Sequence, residues 1–186
     1  MMEAVHCVLV YSVCSTCEWV LHKWLMHNPK RHLGKFHIAH HRETKDDMTL
    51  GMVTDDPYVM DCDWRGTGFS WRMTLRIFPI VVTLGFFSEC FLSRAATCFL
   101  TVLFAYTVII WNAVHPAMHG MAQPPLWYGP SVPIAVPHAL RRFLVRYHRA
   151  HHASKGTRNF NITLPGADWM FGTLFKFDIP NIEKTR

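Results

Sequence analysis

The stretch that decides the fold is Ala95–Val114, AATCFLTVLFAYTVIIWNAV, 20 residues without one charged side chain. Coiled as a helix it extends about 30 Å, the thickness of a bilayer's hydrocarbon core. It is apolar on every face, whereas a surface helix of a soluble protein keeps one polar face for water. Upstream lies Ile77–Leu92, IFPIVVTLGFFSECFL, with Glu89 as its single charge. Only Ser93 and Arg94 separate the two segments, so they are expected to be antiparallel neighbours. Arg94 then sits at the hairpin tip, with Glu89 as its partner. A third segment, Ala4–Leu21, AVHCVLVYSVCSTCEWVL, is interrupted only by His6 and Glu18. Met1-Met2-Glu3 gives it no positive n-region, so it does not read as a secretory signal. The expected fold is all-α: one membrane domain over residues 1–186, with spans at about 4–22, 75–92 and 95–114.

The rest of the composition agrees. Half of the 186 residues are hydrophobic and 17% are charged, which excludes a disordered chain. The six cysteines fall mostly in apolar stretches without framework spacing, so a disulfide scaffold is not expected. Cys14-x-x-Cys17 lies inside a span and reads as packing. The net charge is +6. Its basic residues flank the apolar segments, as in the cytoplasmic parts of membrane proteins, and no nucleic-acid partner is expected. Lys23, Lys30, Arg31 and Lys35 follow the first span. Arg141, Arg142, Arg146 and Arg149 follow the third. This asymmetry puts the N-terminus outside and residues 23–76 and 115 onward in the cytoplasm. Residues 44–72, with Asp55-Asp56-Pro57, read as a cytoplasmic loop. Residues 124–137 carry five prolines and read as an extended connection. Residues 138–153 read as a basic amphipathic helix lying across the membrane surface or over a site.

Thirteen residues are histidine, and ten of them fall into four motifs. His22 and His27 form a first pair, and His37-Ile-Ala-His40-His41 a first triple. His115 and His119 form a second pair, and His148-Arg-Ala-His151-His152 a second triple. Positions i, i+3 and i+4 of a helix lie on one side, so each triple is expected to aim its three rings at one point. His115 and His119 are one turn apart and do the same. The five-residue step from His22 to His27 overshoots one turn and requires a bent or frayed helix end. The predicted topology, derived without the histidines, puts all four motifs on one membrane face. Ten imidazoles exceed the four to six ligands that one metal takes, so two metals are expected. Imidazole suits iron, zinc, copper and nickel alike. His6, His32 and His138 fall outside the motifs.

These four elements, with Glu18 before the first pair, resemble the fatty acid hydroxylase/sterol desaturase superfamily of integral-membrane di-iron enzymes. The likeness runs from about Glu18 to Thr173. Its last element is Asn159-Phe-Asn-Ile-Thr-Leu-Pro-Gly-Ala-Asp-Trp-Met-Phe-Gly-Thr173, similar to the family's Asn-rich turn followed by Trp-Asp-x-x-Phe-Gly-Thr. Here the order is Asp168-Trp169. The resemblance implies a cytoplasmic histidine-rich cap that holds two non-haem iron ions, which zinc replaces in some preparations. It implies no catalytic group beyond the metal centre. The implied reaction is O₂-dependent attack on an unactivated C–H bond of a fatty acid or sterol type lipid. The implied electron source is a reductase acting through a separate b-type cytochrome. Hydroxylation is the favoured outcome, with desaturation, carotenoid hydroxylation and a metal-binding pseudoenzyme as alternatives. The implied address is the endoplasmic-reticulum membrane, or the inner membrane of a bacterium.

Four further residues are candidates for a supporting role. Glu18 lies one turn before His22 and either orients that ring, reaches the membrane interface or pairs with Lys23. Asn159, Asn161 and Asp168 are placed to bond the outer ring nitrogens of metal-bound histidines, the asparagines having turn formation as the alternative. Trp19, Trp24, Trp111 and Trp127 are expected to anchor at the membrane interface.

Overall fold

The computed structural model describes residues 2–46, 48–49 and 67–175. Most of the expected loop at 44–72, including Asp55-Asp56-Pro57, lies outside the described residues. The chain is all-helical, with no strand among the described residues. Helix α1, Met2–Val20, runs on through a π-helical turn, Leu21–Met26. Then come α2 (His32–Glu43), α3 (Trp71–Phe91), α4 (Arg94–Met118), α5 (His138–Ala153) and the short α6 (Ala167–Met170).

Three of these are long and apolar enough to cross a membrane: Met2–Met26, Trp71–Phe91 and Arg94–Met118. Their outward surfaces make the same case. Leu75, Phe78, Ile80, Val82, Phe86, Phe87 and Phe91 of α3 are all exposed. A contiguous apolar face of that extent does not stay free in water, and in lipid it needs no cover. The α3–α4 hairpin turns within Leu92 and Ser93. The Ser93 hydroxyl accepts from the Ala96 N–H (3.3 Å) and caps α4, as Ser70 accepts from Met73 (3.2 Å) to cap α3. Arg94 meets Glu89 at 3.4 Å, as the sequence led us to expect.

Helix α4 packs against both α1 and α3. Val10 of α1 meets Ala96 and Leu100 of α4 at the hairpin end, with Val81 and Leu84 of α3 against them. At the opposite end Ile110, Val114 and Met118 of α4 close on Leu144 of α5. Here the C-termini of α1 and α4 and the N-terminus of α3 lie together. The Trp111 indole donates to the Thr67 carbonyl (3.0 Å), and the buried Asn112 side chain donates to Phe69 and Pro130 carbonyls (3.0 and 2.8 Å). Trp111 is therefore an inward strut, not an interface anchor. Trp19 is likewise buried and donates to Thr173 Oγ1 (2.8 Å). Trp24 and Trp127 are exposed, as anchors would be.

Candidate metal centre

All ten motif histidines gather at this end. The His22–His27 pair is brought together by the π-turn. In such a turn each N–H reaches back five residues instead of four. The His27 N–H bonds the His22 carbonyl at 3.2 Å, and the rings stack with centroids 5.2 Å apart. The five-residue spacing thus needs neither a bend nor fraying. Helix α2 folds back against this turn because Gly34 rests on the Asn28 carbonyl, where any Cβ would overlap. Gly156, at φ +70°, similarly gives room to the His27 ring.

The triples behave differently from expectation. They do not each converge on one point. His22, His27, His37, His41 and His151 form one group whose ligand nitrogens all lie within 4.8 Å of one another. His40, His119, His148 and His152 form another. His115 joins the second, its Nε2 being 2.9 Å from His148 Nε2. Each triple is split: its i and i+4 members stay together while the i+3 member crosses to the other group. The cause is helix geometry. Adjacent residues point about 100° apart, so i+3 and i+4 straddle the inward face. Helix α2 gives His37 and His41 to the first group and His40 to the second. Helix α5 gives His148 and His152 to the second and His151 to the first. The groups abut where the His41 and His152 rings stack at 4.2 Å.

The donor chemistry fits a pair of transition-metal cations. His22 and His151 donate from Nδ1 to the carbonyls of Phe160 and Arg158, both at 2.6 Å. His115 and His119 donate to Thr67 and Met48, both at 2.9 Å. These bonds place the ring proton on Nδ1 and leave Nε2 as a bare lone pair, the state a metal ligand requires. The bare nitrogens then face other imidazoles closely. His22 Nε2 lies 2.9 Å from His37, His151 Nε2 2.9 Å from His41, and His119 Nε2 2.9 Å from His148. His148 Nε2 meets the Nε2 atoms of His115, His119 and His152 within 3.1 Å, more lone pairs than one ring proton can bridge, whereas a shared cation satisfies them together. His40 is buried with both ring nitrogens unpartnered, and His37 and His148 with Nδ1 unpartnered. Such groups are costly to bury without a ligand.

Protons are poor occupants of these rings. Burial lowers His27 and His119 to about 4, a carbonyl bond from Met48 partly opposing it in His119. Burial takes His151 to about 3, with the Arg158 carbonyl opposing. His37, His40, His41 and His148 fall well below the usual range through burial first and then neighbouring imidazoles. His152 falls for the same reasons. His27, His41 and His152 are half-buried and the other motif histidines buried, so the open edge of the centre lies along these three.

The four supporting candidates sit elsewhere than expected. Glu18 bonds neither His22 nor Lys23; its carboxylate receives the loop at 161–164. Lys23 instead lies over the Trp19 ring, 4.3 Å from its centroid. Asp168 accepts from Phe160, Asn161, Tyr147 and Thr173, and Asn161 and Asn159 bond backbone and loop partners. None of these bonds goes to a histidine ring. The outer nitrogens of His22, His115, His119 and His151 go to backbone carbonyls, which no side-chain pattern announces. His138 is exposed at the start of α5, and His6 lies near the far end. The His32 side chain lies outside the described residues.

Fold and site together define a helical protein with three membrane-length helices and two adjacent all-imidazole groups able to hold metal ions. No protein-family model, curated protein or solved structure matches the chain.

Proposed function

We propose that the protein is a membrane-bound di-iron oxygenase that hydroxylates a C–H bond of a fatty acid or sterol type lipid. The observation that carries this reading is the pair of adjacent all-imidazole groups at one end of three membrane-length helices. Two bound irons supply O₂ activation and C–H oxidation, chemistry that no side chain provides alone. The protein's part is to hold and shield. His22, His115, His119 and His151 keep Nε2 unprotonated by giving their Nδ1 protons to carbonyls. Burial of most of the rings keeps water away and keeps protons from competing for the ligand nitrogens. His22 and His115 lie in the last turns of two spans, so the centre is at the depth where a lipid chain meets its headgroup.

Electrons come from a reductase through a separate b-type cytochrome, which approaches the half-buried edge at His41 and His152. The histidine end faces the cytoplasm, in the endoplasmic-reticulum membrane or a bacterial inner membrane. Imidazole accepts zinc as readily as iron, so the active preparation is one grown with ample iron. Lipid profiling of cells carrying the wild type or His151→Ala tests the proposal. A new hydroxylated lipid with the wild type alone is expected. A new double bond instead makes the enzyme a desaturase, and identical profiles reduce the centre to a metal-binding one.

A further inference from the structure

The two groups are supported by different parts of the chain. In the first, both outer-nitrogen bonds are 2.6 Å, short against the usual 2.9–3.0 Å for N–H···O. Their acceptors, Phe160 and Arg158, belong to one loop. In the second, the acceptors are Thr67 and Met48, and both bonds are 2.9 Å.

The loop at 158–164 is tied to α1 chiefly by one acid. Glu18 Oε1 accepts from the backbone N–H of Ile162 (3.2 Å), and from the N–H and Oγ1 of Thr163 (2.8 and 2.9 Å). Its Oε2 accepts from the Leu164 N–H (2.9 Å) and Asn161 Nδ2 (3.3 Å). Three residues earlier, Ser15 donates to the Leu164 carbonyl (2.7 Å) and accepts from the Ala167 N–H (3.0 Å). Asp168 closes the other side, accepting from the Phe160 N–H (2.9 Å) and from the Tyr147 hydroxyl (2.9 Å). The peptide N–H of Phe160 is therefore fixed by Asp168 while its carbonyl receives His22.

We propose that Glu18 is a positioning residue for one half of the metal centre. By anchoring this loop it sets the orientation and ligand strength of His22 and His151, and it leaves the second group alone. The inference rests on the histidines being metal ligands and not on the reaction they support. Five converging donors suit an ionised carboxylate, whose oxygens only accept; an amide would turn its own N–H₂ against some of them. Removing a group that orients a ligand typically costs roughly 10–100-fold in metal affinity.

Cobalt(II) titration of the purified full chain, followed by its ligand-field spectrum and by metal content, tests this. The wild type should take two ions. Glu18→Ala should weaken one binding step by roughly 10–100-fold and leave the other unchanged. The affected step is identified by combination: Glu18→Ala should add nothing to His151→Ala, which already lacks first-group binding. Added to His148→Ala, it should weaken the remaining step. Equal weakening of both steps, or two wild-type affinities, overturns the proposal. Should Glu18→Ala fail to fold, Glu18→Gln decides. It keeps the size of the side chain but turns an N–H₂ against some of the five donors, and should weaken the same single step by a smaller factor. Unchanged affinities in that variant overturn the proposal too. A wild type that takes no cobalt refutes the centre itself, an outcome distinct from a wild type and a Glu18→Ala that both take two.

Discussion

The first histidine group takes its leading pair from a π-turn, the second from an α-helix. Otherwise the groups share one plan. Each receives an i, i+4 pair from one cap helix and the i+3 histidine of the other. The difference shows that the spacing of the leading pair is free so long as the backbone turn matches it. A five-residue step is served by an i→i+5 bond at 3.2 Å. The four-residue step of His115 and His119 runs from the last turn of α4 to its C-cap, where the His119 N–H bonds the Pro116 carbonyl at 3.0 Å. What is fixed is the crossing over of α2 and α5, which ties the two groups into one centre.

That crossing sets the largest expected effect. His148→Ala and His151→Ala alter neighbouring turns of the same helix, yet each should empty a different group. Each should lower metal content by one ion per chain, and both should abolish product. Metal analysis of the two variants, and of their double variant, checks this; the double variant should hold none. If either single variant lost both ions, the groups would not be separable as described.

The leading pairs offer a sharper contrast. Inserting one alanine between Trp24 and Leu25 takes the His22–His27 step beyond the π-turn. It should cost the first group its binding step and spare the second, as read by cobalt uptake. Equal tolerance by both groups would show that the π-turn has no part in placing His27.

Acid should act on both groups together. A free histidine titrates near ~6.5, whereas burial takes His27 in the first group and His119 in the second to about 4. Between those values the unfolded chain binds more protons than the folded one, so stability rises with pH. Metal retention and thermal stability should therefore be full above about pH 6.5 and decline as the pH falls towards about 4. Retention of both ions through that window would contradict the assignment. At the small end, His6→Ala and His138→Ala should leave metal content unchanged, because both rings lie away from the centre.

Much of this was legible in the sequence. Uncharged runs such as Ala95–Val114 announce membrane helices because burial in lipid tolerates almost no charge. The ten histidines announce themselves by repeating helical spacings. Three things were hidden. The split of each triple depends on two helices facing each other, and one helix's spacing does not contain it. The supporting acceptors are carbonyls of Met48, Thr67, Arg158 and Phe160, and every residue has a carbonyl. Glu18 could be singled out as an acid in an apolar helix, but its partners are backbone N–H groups more than 140 positions away. The tryptophans misled for a related reason. Trp19 and Trp111 stand where interface anchors stand, and segments distant in the chain cover them, Phe160 and Ala167 over Trp19 and Met26, Phe69 and Ile162 over Trp111.

At the heart of the proposed centre, ten histidines hold two metals through nitrogen alone. The most direct test is metal quantification on the purified wild-type chain, joined with X-ray absorption at the edge of the bound metal. Two ions per chain are expected, each in a nitrogen-dominated ligand shell without sulfur. One ion or none, or a shell containing thiolate, would contradict it.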